Sequence, residues 1–264
     1  MKVVLFCGGK GIRLRDYSDK IPKPMIPVGY RPILWHVMKY YAHFGHKEFI
    51  LCLGSGGDVI KDYFVNYKEY ISNDFTLKAE TNIKLLSRDI DDWKITFVDT
   101  GINTNTAERL LAVKRHLEDD EYFLVNYSDR LTDLHLPTMI DRFKENESVG
   151  MVMTVKSKNN SHATSIDENN QITRITSFKK MKSMWISAGY FIFKKSIFDY
   201  IDTSDSLPEK TLPSLVDKGL LSAYPYDGTF LTINTFREKE ALDKMYTAGK
   251  TPWQVWENRD SKVV

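Results

Sequence analysis

The sequence predicts an α/β fold: a mixed, mostly parallel sheet flanked by helices, with a β-richer C-terminal lobe. Three observations predict it. Residues 2–7 begin with Lys2 and continue as an unbroken apolar run from Val3 to Cys7, the pattern of a strand buried on both faces. A glycine-rich turn, Gly8-Gly9-Lys10-Gly11, follows at once, and apolar runs then alternate with helical stripes as far as Tyr67.

In chain order, Ile33, Leu34, Val37, Met38, Tyr41 and Ala42 make a helical stripe within residues 31–44. Phe49 to Leu53 reads as a second buried strand closed by Gly54. Val59 to Tyr67 reads as another helix, with Val59, Ile60, Tyr63 and Phe64 on one side. Such alternation predicts parallel strands joined by right-handed crossovers. Residues 68–93 are more charged and less regular, and are expected to be an insertion over the sheet. Ile95 to Val98 is a short strand, residues 107–117 a helix, and Tyr122 to Tyr127 a buried strand running into Ser128-Asp129-Arg130. Pro137 stands where proline favours a helix start.

From residue 149 the pattern turns toward strand: Val149 to Val155, Ile172 to Phe178 and Trp185 to Phe193. Helices near 208–219 and 236–248 and a strand pair near 221–233 complete the chain. No internal repeat and no Gly-, Ser- or Pro-rich linker interrupts it. The expectation is therefore one domain over 1–264 with halves 1–148 and 149–264.

The 264 residues are 42% hydrophobic and 27% charged, which excludes a disordered or collagen-like chain. With 37 basic and 35 acidic residues the net charge is +2, so no global field favours nucleic acid or an anionic membrane. Lys179-Lys180-Met181-Lys182 is the one dense basic run, too little for a nucleic-acid surface. No apolar stretch approaches the roughly 20 residues of a membrane span. Cys7 and Cys52 both lie in apolar strand-like runs, which suggests a reducing compartment without disulfides. Met1 to Cys7 reaches Gly8 too soon for the apolar core of a signal peptide, so a cytoplasmic chain is expected.

Two places carry the candidate chemistry. The glycines after the first strand, with Arg13 and with Lys23 held between Pro22 and Pro24, suit a phosphate chain: backbone N–H groups converge and two cations stand near. The competing reading is a glycine turn flanked by solvated cations. The loop matches neither the Gly-Lys-Ser/Thr phosphate loop nor the dinucleotide G-x-G-x-x-G. Asp129 directly follows a buried strand, where open α/β sheets bind ligands, and one carboxylate plus substrate phosphates is a common Mg²⁺ site. Its competing reading is a capping aspartate. The histidines are scattered, and His36, His43 and His46 fit a helix face and its exit. Trp35, Tyr40, Tyr41 and Phe44 suit a core or an interface, and Trp253 and Trp256 a tail packed back on the domain or on a neighbour.

With these residues in view, the sequence resembles the sugar-1-phosphate nucleotidyltransferases, most closely those that use cytidine triphosphate and glucose 1-phosphate. The resemblance rests on G-G-x-G-x-R-L at 8–14, P-K-P-M at 22–25, R-P-I-L-W-H at 31–36 and Val98-Asp99-Thr100-Gly101. Glu108-Arg109-Leu110, the strand before Asp129 and the tail Gly249-Lys250-Thr251-Pro252-Trp253 extend it. It implies a Rossmann-like fold and a reaction joining CTP to a sugar 1-phosphate with release of pyrophosphate. It also implies a homo-oligomer with neither membrane nor nucleic acid as partner.

By resemblance, residues 1–148 would hold the nucleotide, with Gly8, Gly9, Gly11, Arg13, Thr106 and Arg109 as contacts. Arg13, Lys23 and Asp129 would be catalytic. Residues 149–264 would hold the sugar phosphate through Lys179, Lys180, Ser187 and Gly189. Mg²⁺ would be the cofactor, on Asp129 and Asn234. The sugar phosphate is already a nucleophile, so the implied chemistry needs alignment and neutralisation of two anions and no general base.

Several positions depart from the family pattern. Ile12 replaces a threonine, and Ser128-Asp129-Arg130 replaces G-D-G, placing a bulky cation where relatives keep a glycine. Ser187-Ala188-Gly189 replaces N-G-G, the lysine of an E-K-P motif has its counterpart in Lys179 or Lys180, and Asn234 replaces a second metal-binding aspartate. Two functions therefore stand: an active cytidylyltransferase with glucose 1-phosphate or a related acceptor, and a catalytically weakened relative that serves as a binding or regulatory subunit.

Overall fold

The computed structural model describes residues 1–9, 21–78, 82–156, 162–166, 171–177, 185–202 and 206–257. Its frame is a seven-stranded sheet. The strands are β1 (Val3–Phe6), β2 (Glu48–Leu53), β3 (Lys94–Asp99), β4 (Tyr122–Asn126), β5 (Gly150–Lys156), β6 (Trp185–Lys194) and β7 (Leu221–Tyr226). They lie in the order β7-β5-β6-β4-β1-β2-β3. β1 pairs in parallel with β2 and β4, β2 with β3, and β5 with β7, whereas β6 runs antiparallel to both β4 and β5. Only β6 therefore points against the rest, and the expected mixed, mostly parallel sheet is what forms.

β1 is buried along its whole length because helices cover both faces. Val3 and Leu5 face one apolar cluster, which contains α1 (Ile33–His43) and α4 (Leu136–Lys144). Val4 and Phe6 face a second, with α3 (Thr106–Ala112). This is the period-two alternation of a strand read against two helical layers. α2 (Gly57–Val65) starts two residues earlier than its apolar stripe suggested, after the left-handed Gly56. The helix expected over 107–117 breaks into α3 and a 3-10 turn at Lys114–His116. Pro137 stands in the first turn of α4, as expected.

The strand pair expected near 221–233 does not form. Leu221–Tyr226 joins β5, and Phe230–Thr232 pairs instead with Arg130–Thr132 beyond β4. The segment 68–93 carries a hairpin, Phe75–Lys78 against Asn82–Leu85, and fastens to α1 more than to the sheet. Its anchor is the buried Asp89, which pairs with Lys39 at 3.3 Å and Arg31 at 3.7 Å and accepts from Tyr67, Ser72 and Asn73.

α5 (Leu212–Asp217) and α6 (Phe236–Thr247) close the C-terminal part. Trp253 is buried against His36, and Trp256 meets Trp35 edge to face at 5.9 Å, so the tail packs back on α1. Cys7 and Cys52 are free and buried. Among the described residues no helix is long and apolar enough to cross a membrane.

Candidate active site

Parallel strands whose order reverses about β1 and β4 leave a crevice at their carboxyl ends, and ligands of open α/β sheets bind there. The crevice is a cavity of about 710 Å³. Phe6, Cys7, Gly8 and Gly9 line it from the end of β1. Residues 102–106 line it ahead of α3, and Tyr127, Ser128, Asp129 and Arg130 line it after β4. Lys23, Arg109, Ser206 and Asn234 complete the wall.

Gly8 is required by close approach: a Cβ there would lie 2.0 Å from Arg109 Nη1 and 2.8 Å from the Gly54 nitrogen. Among the described residues, nothing lies within 4 Å of where a Gly9 Cβ would stand. Arg109 borders the cavity with its fork spent on the protein. Nη1 donates to the Leu53 carbonyl (3.2 Å) and to Thr100 Oγ1 (2.9 Å), and Nη2 to the carbonyls of Gly8 (2.8 Å) and Gly101 (3.1 Å). It ties the loops after β1, β2 and β3 together. Burial lowers its pKa. Burial pushes the Cys7 thiol the other way, up to about 12, which rules it out as a nucleophile.

α3 begins with a capping box: Asn105 Oδ1 accepts from the nitrogens of Ala107 and Glu108, and Glu108 accepts from the Asn105 nitrogen. The sequence Asn-Thr-Ala-Glu carries that signal. Thr106 borders the cavity, and its hydroxyl accepts from the Leu207 nitrogen at 3.0 Å.

The charged centre is Lys23, Asp129, Arg130 and Asn234. Lys23 opens a 3-10 turn between two prolines, which fix its backbone. Its ammonium forms an ion pair with Asp129 Oδ2 and donates to Asn234 Oδ1 at 2.8 Å. Asp129 is aimed by Ser128, which holds φ at 60° without being glycine. That conformation costs roughly 1–2 kcal/mol. Two bonds hold it: Ser128 Oγ donates to the Phe6 carbonyl at 2.7 Å, and its nitrogen donates to Asn126 Oδ1 at 2.9 Å.

Asp129 Oδ1 is buried and has no hydrogen-bond partner among the described residues. Arg130 Nε lies 3.5 Å from it. The Arg130 guanidinium sits 4.8 Å over the Tyr127 ring, and Nη1 donates to the Ala188 carbonyl at 3.2 Å. Arg130 and Asn234 are also the wall shared with a second cavity, of about 530 Å³, between β5, β6 and α6.

The structure thus gathers Gly8, Gly9, Lys23, Thr106, Arg109, Asp129 and Asn234 around one cavity. Ser187 is not on it. Its hydroxyl accepts from the Gly189 nitrogen at 3.3 Å, and among the described residues it is Ile186 that reaches the second cavity. Gly189 acts by its shape: φ is 74°, and a Cβ would meet Tyr127 Cδ2 at 2.4 Å and Arg130 Nε at 2.9 Å. Gly11, Arg13, Lys179 and Lys180 lie outside the described residues. Among the described residues no three His, Cys, Asp or Glu side chains gather to hold a metal. Asn103, Thr104 and Ser206 line the cavity without having been singled out in the sequence, since short polar loop residues carry no spacing signal.

Comparison with known proteins agrees with this arrangement. Residues 2–228 match the family model described as nucleotidyl transferase. The glucose-1-phosphate cytidylyltransferases of Salmonella typhi and Salmonella typhimurium are each 34% identical to the chain, covering 97% of it and 100% of their own length. A UDP-glucose pyrophosphorylase solved with UDP-glucose superposes with a TM-score of 0.69 at 15% identity, over 94% of this chain and 98% of its own. HddC from Yersinia pseudotuberculosis gives 0.64 at 20% identity, over 93% and 99%. The fold, the cavity at its strand ends and the end-to-end likeness agree, and the chain belongs to the sugar-1-phosphate nucleotidyltransferase family.

Proposed function

We propose that the chain joins CTP to a sugar 1-phosphate, glucose 1-phosphate or a related acceptor, to give a CDP-sugar and pyrophosphate. The observation that carries the reading is the meeting of Lys23, Asp129 and Asn234 at the carboxyl end of β4, in a chain that matches two cytidylyltransferases end to end. The acceptor's phosphate oxygen attacks the α-phosphorus of the nucleotide in line and pyrophosphate leaves. The protein supplies alignment and positive charge. Lys23, anchored by its prolines, is the cation nearest the reacting phosphates. Arg109 holds the Gly8 turn, Thr106 and Gly9 border the nucleotide, and by the resemblance Gly11 and Arg13 would contact it too. By the resemblance, Lys179 and Lys180 would meet the acceptor, while Ser187 and Gly189 would act from behind the cavity wall, Gly189 by leaving room for Tyr127 and Arg130.

Mg²⁺ suits the donors present. Asp129 offers a buried carboxylate oxygen without a hydrogen-bond partner among the described residues and Asn234 an amide oxygen, and Mg²⁺ is commonly held by one or two protein oxygens plus substrate phosphates and water. When bound it would neutralise charge on the phosphates. Two free thiols and a cytoplasmic substrate support a cytoplasmic location. The exposed apolar face of the 75–85 hairpin, Leu77 and Ile83 foremost, supports a homo-oligomer.

Pyrophosphate release tests the reading, with Mg²⁺ and four nucleoside triphosphates crossed against a panel of sugar 1-phosphates. Release with CTP and one acceptor is expected, falling about 10²–10³-fold in Asp129→Asn, as when other electrostatic stabilisers are removed. An equally active Asp129→Asn would overturn the placement. Calorimetry that detects no CTP binding would overturn the function.

A further inference from the structure

We propose that Arg130 is the clamp for the acceptor's phosphate, and that the acceptor's remaining part lies in the 530 Å³ cavity beyond it. The inference rests on the function proposed above and adds to it which residue selects the acceptor.

Charge is the first argument. Lys23 and Arg130 bring two cations to one carboxylate: Asp129 pairs with Lys23 through Oδ2 and with Arg130 Nε, at 3.5 Å, through Oδ1. The other neighbours of the guanidinium are neutral: the rings of Tyr127 and Phe230 and the Ala188 carbonyl. Arg130 Nε is buried without a hydrogen-bond partner, and among the described residues Nη2 has none. A half-buried guanidinium with spare donors and excess positive charge is matched by an oxyanion, and its planar fork fits phosphate in two-point contact.

Rigidity is the second. The ring of Tyr127 lies against one face, and Gly189 presses from below with no side chain to spare. The fork is therefore held before any ligand arrives.

Position decides which phosphate. Arg130 and Asn234 border both cavities, so an anion on Arg130 sits between the nucleotide cavity and the second one. The second cavity is lined mainly by Val155, Ile186, Phe230, Leu231, Leu242 and Met245. Lys156, Tyr226, Asp227, Thr232 and Glu238 stand among them and can meet the hydroxyls of a sugar ring.

Isothermal titration calorimetry tests this on the full chain with Mg²⁺, using CTP, inorganic phosphate and glucose 1-phosphate as probes, for the native protein, Arg130→Gln and Arg130→Lys. Native protein is expected to bind CTP and both phosphate probes. Arg130→Gln, which keeps a flat side chain over Tyr127, should lose about 10–100-fold of phosphate and glucose 1-phosphate affinity, a span that corresponds to a hydrogen bond to a charged group. Arg130→Lys should fall between, and CTP affinity should stay within about threefold. Unchanged phosphate affinity in Arg130→Gln, or a loss confined to CTP, would overturn the clamp while leaving the nucleotidyltransferase reading intact. Failure of native protein to bind CTP would instead strike that reading. Thermal unfolding of each variant separates a lost contact from a lost fold.

Discussion

Replacing Arg109 with methionine removes the brace among three loops, and the structure sets the size of the effect. Four hydrogen bonds from a charged donor at about 1.5–3 kcal/mol each would suggest 6–12 kcal/mol. The acceptors reduce that figure. The Leu53 carbonyl also receives the Thr100 nitrogen at 3.0 Å and the Thr100 hydroxyl at 2.7 Å, and the Gly101 carbonyl receives Thr104 Oγ1 at 2.9 Å. Thr100 Oγ1 keeps its own bond to Leu53. Among the described residues only the Gly8 carbonyl is stranded, at about 1–3 kcal/mol for an unsatisfied buried acceptor. Methionine also relieves the burial of a cation, so the net loss does not exceed that figure, about 1–3 kcal/mol. For a chain of this size each kcal/mol moves the midpoint by about 2–4 °C, which gives a fall of roughly 2–12 °C in a thermal melt. A midpoint within about 1 °C of the native value would refute the brace, because it would show the Gly8 turn standing without Arg109.

Acid should destabilise the fold through His36. Its Nε2 lies 2.9 Å from the Val28 carbonyl, so Nε2 carries the proton and the buried, unpartnered Nδ1 is bare. Burial lowers its pKa from 6.5 to about 4, so between those values the unfolded chain takes a proton that the folded chain refuses. Stability is then full above about pH 6.5 and falls as pH drops toward 4, by about 3 kcal/mol in all. Chemical unfolding at several pH values would check it, and His36→Leu should reduce the slope over that span, with His46, also lowered by burial to about 4, supplying what remains. Gly189→Ala forces a Cβ into Tyr127 and Arg130 at a positive φ. It should weaken phosphate binding with Arg130 displaced, measured by the same calorimetry, and unchanged affinity would separate the glycine from the clamp.

The fold was legible where a local pattern dictated structure. Val3 to Phe6 is apolar at every position, and only a strand covered on both faces uses that, so β1 could be placed in the centre of a sheet. Pro137 marked a helix start because its ring fixes φ. Pairing between distant segments was another matter. Phe230–Thr232 has the composition of a hairpin partner for Leu221–Tyr226, yet its mate is Arg130–Thr132, and no period within either segment encodes that choice.

The site divided in the same way. Lys23, Asp129 and Asn234 could be named from motif positions, and the structure brings them within reach of one ammonium. That Arg109 spends its fork on carbonyls could not be read, since main-chain acceptors are common to every residue type. The same holds for Asp89, whose partners run from Arg31 and Lys39 to Tyr67, Ser72 and Asn73 without a shared spacing.

The strand order has a consequence for synthesis of the chain. β1 is made first and ends in the interior of the sheet, with β2 on one side and β4 on the other. β2 is complete by Leu53, whereas β4 begins only at Tyr122, a separation from Phe6 of about 116 residues. At roughly 5–20 residues per second, the ribosome leaves one edge of an entirely apolar strand without its neighbour for about 6–23 seconds. An uncovered apolar edge is a template for association with other chains. The interval is fixed by topology, so faster elongation or a chaperone on the nascent chain shortens or shields it, whereas substitutions at the active site leave it unchanged.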